Sequence, residues 1–477
     1  MNLIYLSLSA LLYVISYSPF DFKILIFVSI IILLIIIDNL PSKKKALYLF
    51  YYAFLIHLIG VSWVSQSLLH YGSLDILGST LITIIFIILI SLPYSLVGFL
   101  HKPVTKNRVS NINIFAFLFV IVEFIKSIIF GGFAWLLVGH SQTETVFNFV
   151  YPVFGSYGVT YLVVFISAMM FKSYLYISKV KIFYIVLFVL IYYLFPNNAL
   201  DKSYNNENLS FTIYQPNIYP IDSYNPAKQK KIELKYIKFL KQDIPTDLII
   251  LPETIVPYEL TRGNSLYKTI RDVTSKDKII ITGLFTREND NFFNSMVFFG
   301  ENTKIYNKRK LVPFGEYTPW YDTFIELADT LAIPLSNLRH GTDNQKNFYF
   351  KNIKILPTIC FESTFSNLVN SENNKEIIIN ISNDSWFGKT FAPYQHLQIS
   401  QVRALEFNRF ILRATNTGIS AFINNNGRVI DYIPNNTEGI ITGNIPVNNK
   451  PSIYSRYGDI SILMLLFLSL LATRLIR

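Results

Sequence analysis

The chain has 477 residues, 51% of them hydrophobic and 16% aromatic, with a mean hydropathy of +0.36, which is too apolar for an ordinary soluble protein. One cysteine excludes an intrachain disulfide and any zinc site built on several thiolates, and six scattered histidines show no HxxxH spacing, so neither a metal nor a cofactor is expected. A net charge of +11 would suit a nucleic-acid partner, but where the charges fall argues against one.

The apolar residues are clustered. Runs at 3–19, 24–38, 46–65, 76–100, 112–131, 147–170, 181–196 and 459–473 each cross ~30 Å of hydrocarbon, or nearly so, as helices. The first run lacks a basic leader and a small-x-small cleavage site, so it is expected to stay as an anchor. Lys43, Lys44 and Lys45, then Lys102, Lys106 and Arg108, then Lys172, Lys179 and Lys181, and finally Arg474 and Arg477 all fall on one side. Loops 66–75 and 132–146 on the other side carry no Lys or Arg, and 20–23 carries Lys23 alone. By the positive-inside rule both termini are cytoplasmic and the region after the seventh run lies outside. The expected organisation is a seven-helix membrane part at 1–196, a soluble domain at 204–455, and a last helix with its tail at 459–477.

Inside the fifth run, Glu123 and Lys126 stand at i, i+3 and are expected to share a helix face and pair. Intramembrane charges tend to face a cavity or a partner, so Lys126 is a candidate for a lipid phosphate, with snorkelling as the plainer reading. Trp135, in GGFAWLLVGHSQ at 131–142, reads as a substrate contact or as an interfacial anchor.

In the soluble domain, Leu209–Tyr214 is expected as a strand and 227–243 as a helix with a basic face. Strands follow at 247–251 and 278–285, then a hairpin of 296–299 with 304–306. Buried strands are expected at 354–359 and 376–381, a helix at 396–414, and a hairpin of 418–423 with 429–432 around Asn425-Asn426-Gly427. Buried strands alternating with helices indicate an α/β domain with covered, partly mixed sheets.

Three strand ends carry chemistry. Glu253 follows DLIILP, Lys308 follows KIYN, and Cys360 follows IKILPTI. A lone Cys is more often a small buried hydrophobe than a nucleophile. A Glu and a Lys at two other strand ends change that balance. A carboxylate can take the thiol proton, and an ammonium can favour thiolate and stabilise an oxyanion. The thiolate then attacks an acyl carbon to give a thioester.

These residues carry a resemblance. Pro252-Glu253, Tyr306-Asn307-Lys308 and Ile359-Cys360-Phe361-Glu362 resemble the three signatures of the nitrilase, or carbon–nitrogen hydrolase, superfamily. More closely, the chain resembles the bacterial apolipoprotein N-acyltransferases over nearly its whole length. The likeness includes SPFD at 18–21, GGFAWLLVGHSQ at 131–142, LVPFGEYTPW at 311–320, ISNDSWFG at 381–388 and the stretch 396–420. It implies eight transmembrane helices around a nitrilase-like αββα sandwich on the periplasmic face of the inner membrane. It also implies a ping-pong reaction: Cys360 takes an acyl chain from a phospholipid, typically phosphatidylethanolamine, and passes it to the α-amino group of the diacylglyceryl-cysteine of an apolipoprotein. Glu253 would be the base, Lys308 the oxyanion and thiolate partner, and Glu316 and Glu362 further acids near the site. Three positions depart from the family pattern. Phe361 stands where Tyr is usual, Tyr224 with Pro216 replaces the arm's Trp and Gly, and Lys126 takes the place of an Arg. The rival readings are a membrane-tethered amidase with the same triad and water as acceptor, and a transporter or scaffold whose soluble domain only binds.

Overall fold

The computed structural model describes residues 2–71, 75–101, 108–174, 208–223, 225–313, 315–317, 338–369, 376–446 and 450–475. Eight helices precede the first strand among them: α1 Asn2–Val14, α2 Leu25–Ile37, α3 Ser42–Val61, α4 Val64–Tyr71, α5 Ile76–Ser91, α6 Tyr94–Leu100, α7 Arg108–Lys126 and α8 Tyr151–Tyr174. Runs such as LIFVSIIILLIII are helical because hydrocarbon leaves backbone groups no partner outside their own segment. Among the described residues, Ser42–Val61, Ile76–Leu100 and Tyr151–Lys172 are long and apolar enough to cross a membrane. Asn2–Val14, Leu25–Ile37 and Ile460–Leu471 are shorter apolar helices. The span expected at 181–196 lies outside the described residues.

Hydroxyls knit the first helices together. Ser9 Oγ donates to the Ser29 carbonyl at 2.7 Å, and the Ser29 and Tyr52 hydroxyls meet at 2.6 Å. Tyr13 and Tyr17 donate to the carbonyls of Leu136 and Leu137, both at 2.8 Å, and so tie α1 to the 131–142 loop.

The soluble domain has two six-stranded sheets. The first contains β1 Asn208–Gln215, β2 Leu248–Ile250, β3 Ile279–Glu288, β4 Asn291–Phe299, β5 Lys304–Asn307 and, from the far end of the chain, β12 Gly439–Pro446. Its order is β12-β1-β2-β3-β4-β5, with β1, β2 and β3 parallel and the rest antiparallel. The second contains β6 Phe348–Phe350, β7 Ile353–Ile359, β8 Glu376–Ser382, β9 Ile411–Thr415, β10 Ser420–Ile423 and β11 Val429–Ile433. Its order is β11-β10-β9-β8-β7-β6, with β7, β8 and β9 parallel.

The period-2 pleat sorts the apolar residues. Leu248, Ile250, Ile279 and Ile281 face Ile355, Ile359, Ile377 and Ile379 in one core between the sheets. Ile249 and Ile280 turn the other way, onto α9 Pro226–Leu240 and α10 Ser265–Val273. Across the second sheet lies α11 Ala392–Phe407, giving the layers of an αββα sandwich. Two short C-terminal helices, α12 Ile453–Tyr457 and α13 Ile460–Leu475, return the chain to the membrane part.

The helix expected at 396–414 is corrected. It ends at Phe407, where Asn408 adopts the left-handed conformation (φ 53°), and 411–415 is β9. Asn tolerates that conformation as a helix C-terminus, and the following ILRAT suits a strand. Strands β6 and β12 were not anticipated, nor was the turn at Asn289-Asp290 that pairs β3 with β4. Both strands sit at sheet edges, where one-sided burial weakens the apolar signal.

The two parts share one apolar cluster. Ile399, Val402 and Leu405 of α11 belong with Val159 and Val163 of α8. Ser67 Oγ also donates to the Trp386 carbonyl at 2.8 Å, and Ser156 N to Glu406 Oε1 at 2.8 Å.

Candidate active site

The strand ends converge. Pro252 and Glu253 leave β2 beside β3, where Gly283 leaves room: a Cβ there would lie 2.5 Å from Glu253 Cα. Lys308 leaves β5, and its N–H still donates to the Asn294 carbonyl at 2.8 Å. Cys360 leaves β7 in the left-handed region (φ 51°) and opens a 3-10 turn, Cys360–Thr364. For a non-glycine residue that conformation costs on the order of 1–3 kcal/mol, which surrounding contacts must offset.

Lys308 Nζ donates to Glu316 Oε1 at 2.9 Å and to Glu253 Oε1 at 3.2 Å, all three side chains being buried. Asn294 Nδ2 donates to the same two oxygens, at 2.7 Å each. The backbone N–H of Asn383, after β8, donates to Glu253 Oε2 at 2.8 Å, so both sheets hold the carboxylate. Val312 N donates to Glu316 Oε2 at 2.8 Å.

These contacts set the charges. Burial alone would push Lys308 down, but Glu253, Glu316 and Cys360 outweigh it and hold the ammonium well above its usual range. Burial raises Glu253; Lys308 opposes and Glu316 adds to the rise. Burial, then the Glu253 charge, keep the Cys360 thiol raised against the pull of Lys308. The resting pair is therefore a thiol beside a carboxylate of raised proton affinity, not a standing thiolate. Such a set can remove the thiol proton as the sulfur attacks and can stabilise an oxyanion at Lys308.

Glu253, Lys308, Glu316 and Cys360 open onto one cavity of about 840 Å³. Ile82, Ile85 and Leu89 of α5 give the same cavity an apolar wall, together with Trp63, Phe133 and Trp135. Charged groups and an apolar wall that includes a membrane helix thus share one space.

Comparisons with known proteins agree with this division. Residues 9–169 match the family model described as the apolipoprotein N-acyltransferase N-terminal domain, and 212–450 match the carbon-nitrogen hydrolase model. A relative from Haemophilus influenzae, named apolipoprotein N-acyltransferase, is 30% identical over 97% of this chain and 93% of its own. The chain belongs to the apolipoprotein N-acyltransferase family. A relative of the same name from Pasteurella multocida is 28% identical over 97% of this chain and 93% of its own. A carbon–nitrogen hydrolase superfamily protein from Xanthomonas campestris is 16% identical, with a TM-score of 0.38 over 50% of this chain and 91% of that one.

Within this family member, the residues singled out from sequence take different places. Glu362 bridges elements instead of facing the cavity. Its carboxylate accepts from Ile359 N at 2.8 Å, Arg309 N at 2.6 Å, Lys310 N at 3.1 Å and the Tyr306 hydroxyl at 3.1 Å. It therefore clips the Lys308 loop to the Cys360 turn. Phe361 lines the cavity and packs on Phe365 and Phe133 at centroid distances of 5.0 and 6.4 Å. Trp135 is buried in the cavity wall, its Nε1 donating to Gln395 Oε1 at 2.6 Å, so the interfacial-anchor reading gives way. Tyr224 lies outside the described residues.

Glu123 and Lys126 attract each other electrostatically, as expected, but the hydrogen bonds each makes go to other groups. Glu123 accepts from Val138 N at 2.8 Å and from Thr160 Oγ1 at 2.7 Å. Lys126 Nζ donates to the Trp135 carbonyl at 2.8 Å and meets His57 Nε2 at 3.4 Å. Each is drawn to bare backbone groups of the 131–142 loop, which has no ladder of its own. Neither lines the cavity.

Sequence reasoning missed Asn294, the Asn383 N–H and a buried polar group beneath Cys360 formed by Asp384, His396 and Arg413. Asn294 left a faint signal as a polar residue in NFFNSMVFF. The others lie in 381–388 and 396–420, stretches whose spacing gives no hint of the Cys360 turn.

Proposed function

We propose that this chain transfers an acyl chain from a membrane phospholipid to the α-amino group of a diacylglyceryl-cysteine at the start of an apolipoprotein, with Cys360 as nucleophile. The observation that carries this reading is the cavity, in which the Glu253–Lys308–Glu316 cluster and Cys360 share one space with the apolar side chains of α5. A small amide needs no such wall, whereas an acyl chain does.

In the first half-reaction, Cys360 Sγ attacks the ester carbonyl carbon while Glu253 takes the thiol proton. Lys308 stabilises the oxyanion. The carbon–oxygen bond to glycerol breaks, Glu253 returns the proton to the leaving oxygen, and a lysophospholipid departs from the thioester. In the second, the neutral amine attacks the thioester and loses a proton to Glu253, the carbon–sulfur bond breaks, and Glu253 passes that proton to the departing sulfur, restoring the thiol and its own carboxylate. Glu316 holds Lys308 in place.

We further propose eight membrane spans, both termini in the cytoplasm, and a catalytic domain at 204–455 on the periplasmic face of the inner membrane. The basic residues at 43–45 and 172–181 support that orientation. Phosphatidylethanolamine is the proposed donor. Both substrates are then lipid-anchored and meet the site by lateral diffusion, which raises their effective concentration.

The test incubates the full-length protein with a fluorescent phospholipid and a diacylated lipopeptide. A labelled thioester and a triacylated product are expected from wild type and neither from Cys360→Ser. Triacylation by Cys360→Ala would sink the mechanism. Label released only as free fatty acid, with the lipopeptide untouched, would favour the hydrolase.

A further inference from the structure

Cys360 stands in a strained conformation, and the 3-10 turn that carries it rests on a buried polar chain from three separate elements. His396, in the first turns of α11, places Nε2 at 3.2 Å from the Cys360 carbonyl oxygen and at 2.9 Å from Ser363 Oγ. Ser363 Oγ in turn donates to the Cys360 carbonyl at 3.0 Å. On its other side, His396 Nδ1 lies 2.9 Å from Asp384 Oδ1 and 2.9 Å from an Arg413 guanidinium nitrogen. Arg413, from β9, donates to Asp384 Oδ2 at 2.6 Å, and Ser382 Oγ donates to Asp384 Oδ1 at 2.7 Å. Asp384, His396 and Arg413 are all fully buried.

This chain is separate from the Glu253–Lys308–Glu316 cluster and reaches the nucleophile from below. Burial, then the Arg413 charge, lower His396, so the ring is neutral and carries one N–H. With the proton on Nδ1 the ring donates to Asp384, and the Ser363 hydroxyl turns from the Cys360 carbonyl to donate to Nε2. With the proton on Nε2 the ring donates to the Cys360 carbonyl, and Arg413 donates to Nδ1. Either arrangement clamps the imidazole between a fixed ion pair and the 360–363 turn. The same ring forms part of the cavity wall, 5.6 Å from Trp135 between centroids.

We infer that His396, held by Asp384 and Arg413, is a positioning residue for the nucleophile: it keeps the Cys360–Ser363 turn in the backbone conformation that presents the thiol to the cavity. The inference rests on the reading of Cys360 as the acylated residue. Small displacements of a reacting atom cost about 10²-fold in rate. A positioning role therefore lowers the maximal rates of both acyl transfers and leaves the donor concentration at half-saturation unchanged.

The experiment measures single-turnover thioester formation, and its discharge by the diacylated lipopeptide, in the full-length protein. Wild type is compared with His396→Asn, His396→Gln, Ser363→Ala and Cys360→Ala. Asn reaches Asp384 but not the turn; Gln extends its amide to the Nε2 position. His396→Asn is expected to slow both steps by about 10²-fold, His396→Gln to recover much of the loss, and Ser363→Ala to fall between. Thermal unfolding identifies any variant that fails to fold, and Ser363→Ala carries the test should both His396 variants do so. Wild-type rates in His396→Asn, or in Ser363→Ala in that event, would overturn the inference. So would a higher half-saturating donor concentration at unchanged maximal rate, which would make the ring a substrate contact. Acylation that survives Cys360→Ala would instead overturn the reading beneath it.

Discussion

In the proposed reaction Cys360, a raised thiol, gives its proton to Glu253, itself raised by burial and by Glu316. Only the ionised carboxylate can take that proton, so thioester formation slows as pH falls through the raised Glu253 value. The acid limb of the pH–rate profile is expected above the ordinary glutamate value of about 4.3. Glu316→Gln removes a neighbouring negative charge and should move that limb downward while slowing the step, because Lys308 keeps an acceptor but loses the charge of its 2.9 Å partner. A limb at the ordinary glutamate position in wild type would refute the account. Glu362 makes a different demand. Its buried carboxylate satisfies three backbone N–H groups, and Glu362→Gln puts an amide NH₂ where only acceptors fit. A stability loss of about 2 kcal/mol is expected, read as a lower unfolding temperature with reduced thioester yield. An unchanged unfolding temperature would show the clip to be dispensable.

At the scale of elements, α8 and α12 meet at Gly155. This residue has φ 65°, and a Cβ on it would collide with the Tyr454 ring. The Tyr454 hydroxyl also reaches Ser366 Oγ at 2.9 Å, within the segment that follows the nucleophile turn. Gly155→Ala therefore combines a strained backbone with a clash, and a loss of about 1–3 kcal/mol is expected, visible in thermal unfolding. Wild-type stability in that variant would show that the helices re-seat freely. Helix α5 makes the opposite use of its side chains, presenting Ile82, Ile85 and Leu89 to the cavity. Ile85→Trp fills that space and leaves the Glu253, Lys308 and Cys360 side chains themselves unchanged. It should slow acylation by long-chain phospholipid far more than by a short-chain donor, as compared in single-turnover assays. Equal slowing for both would remove α5 from the acyl path.

At the scale of the molecule, the apolar cluster shared by α8 and α11 packs the two-sheet domain against the N-terminal helices. Orientation then decides which leaflet supplies the donor. Because Cys360 is the only cysteine, a Cys360→Ser background is free of thiols. In that background, Lys276→Cys on the catalytic domain should react with a membrane-impermeant maleimide in intact spheroplasts. Lys43→Cys should react only after lysis. The reverse pattern would invert the proposed topology.

The sequence by itself determined the division into membrane and soluble parts, the α/β character of the latter and the three strand ends. Composition and period-2 apolar runs are local: DLIIL and IKILPTI each announce a buried strand and KIYN a hairpin arm, and the end of each must emerge from the sheet. It did not determine the end of α11, because Asn408 reads as a helix stop only once the chain beyond it pairs with β8. Only the tertiary structure decided that Glu362 is a clip, that Glu123 and Lys126 serve the 131–142 loop, and that His396 lies under Cys360. Each of those roles depends on a hydrogen-bond partner distant in sequence. Hydrogen bonds act over about 3 Å, and nothing in residue order encodes which distant groups the fold brings within that reach.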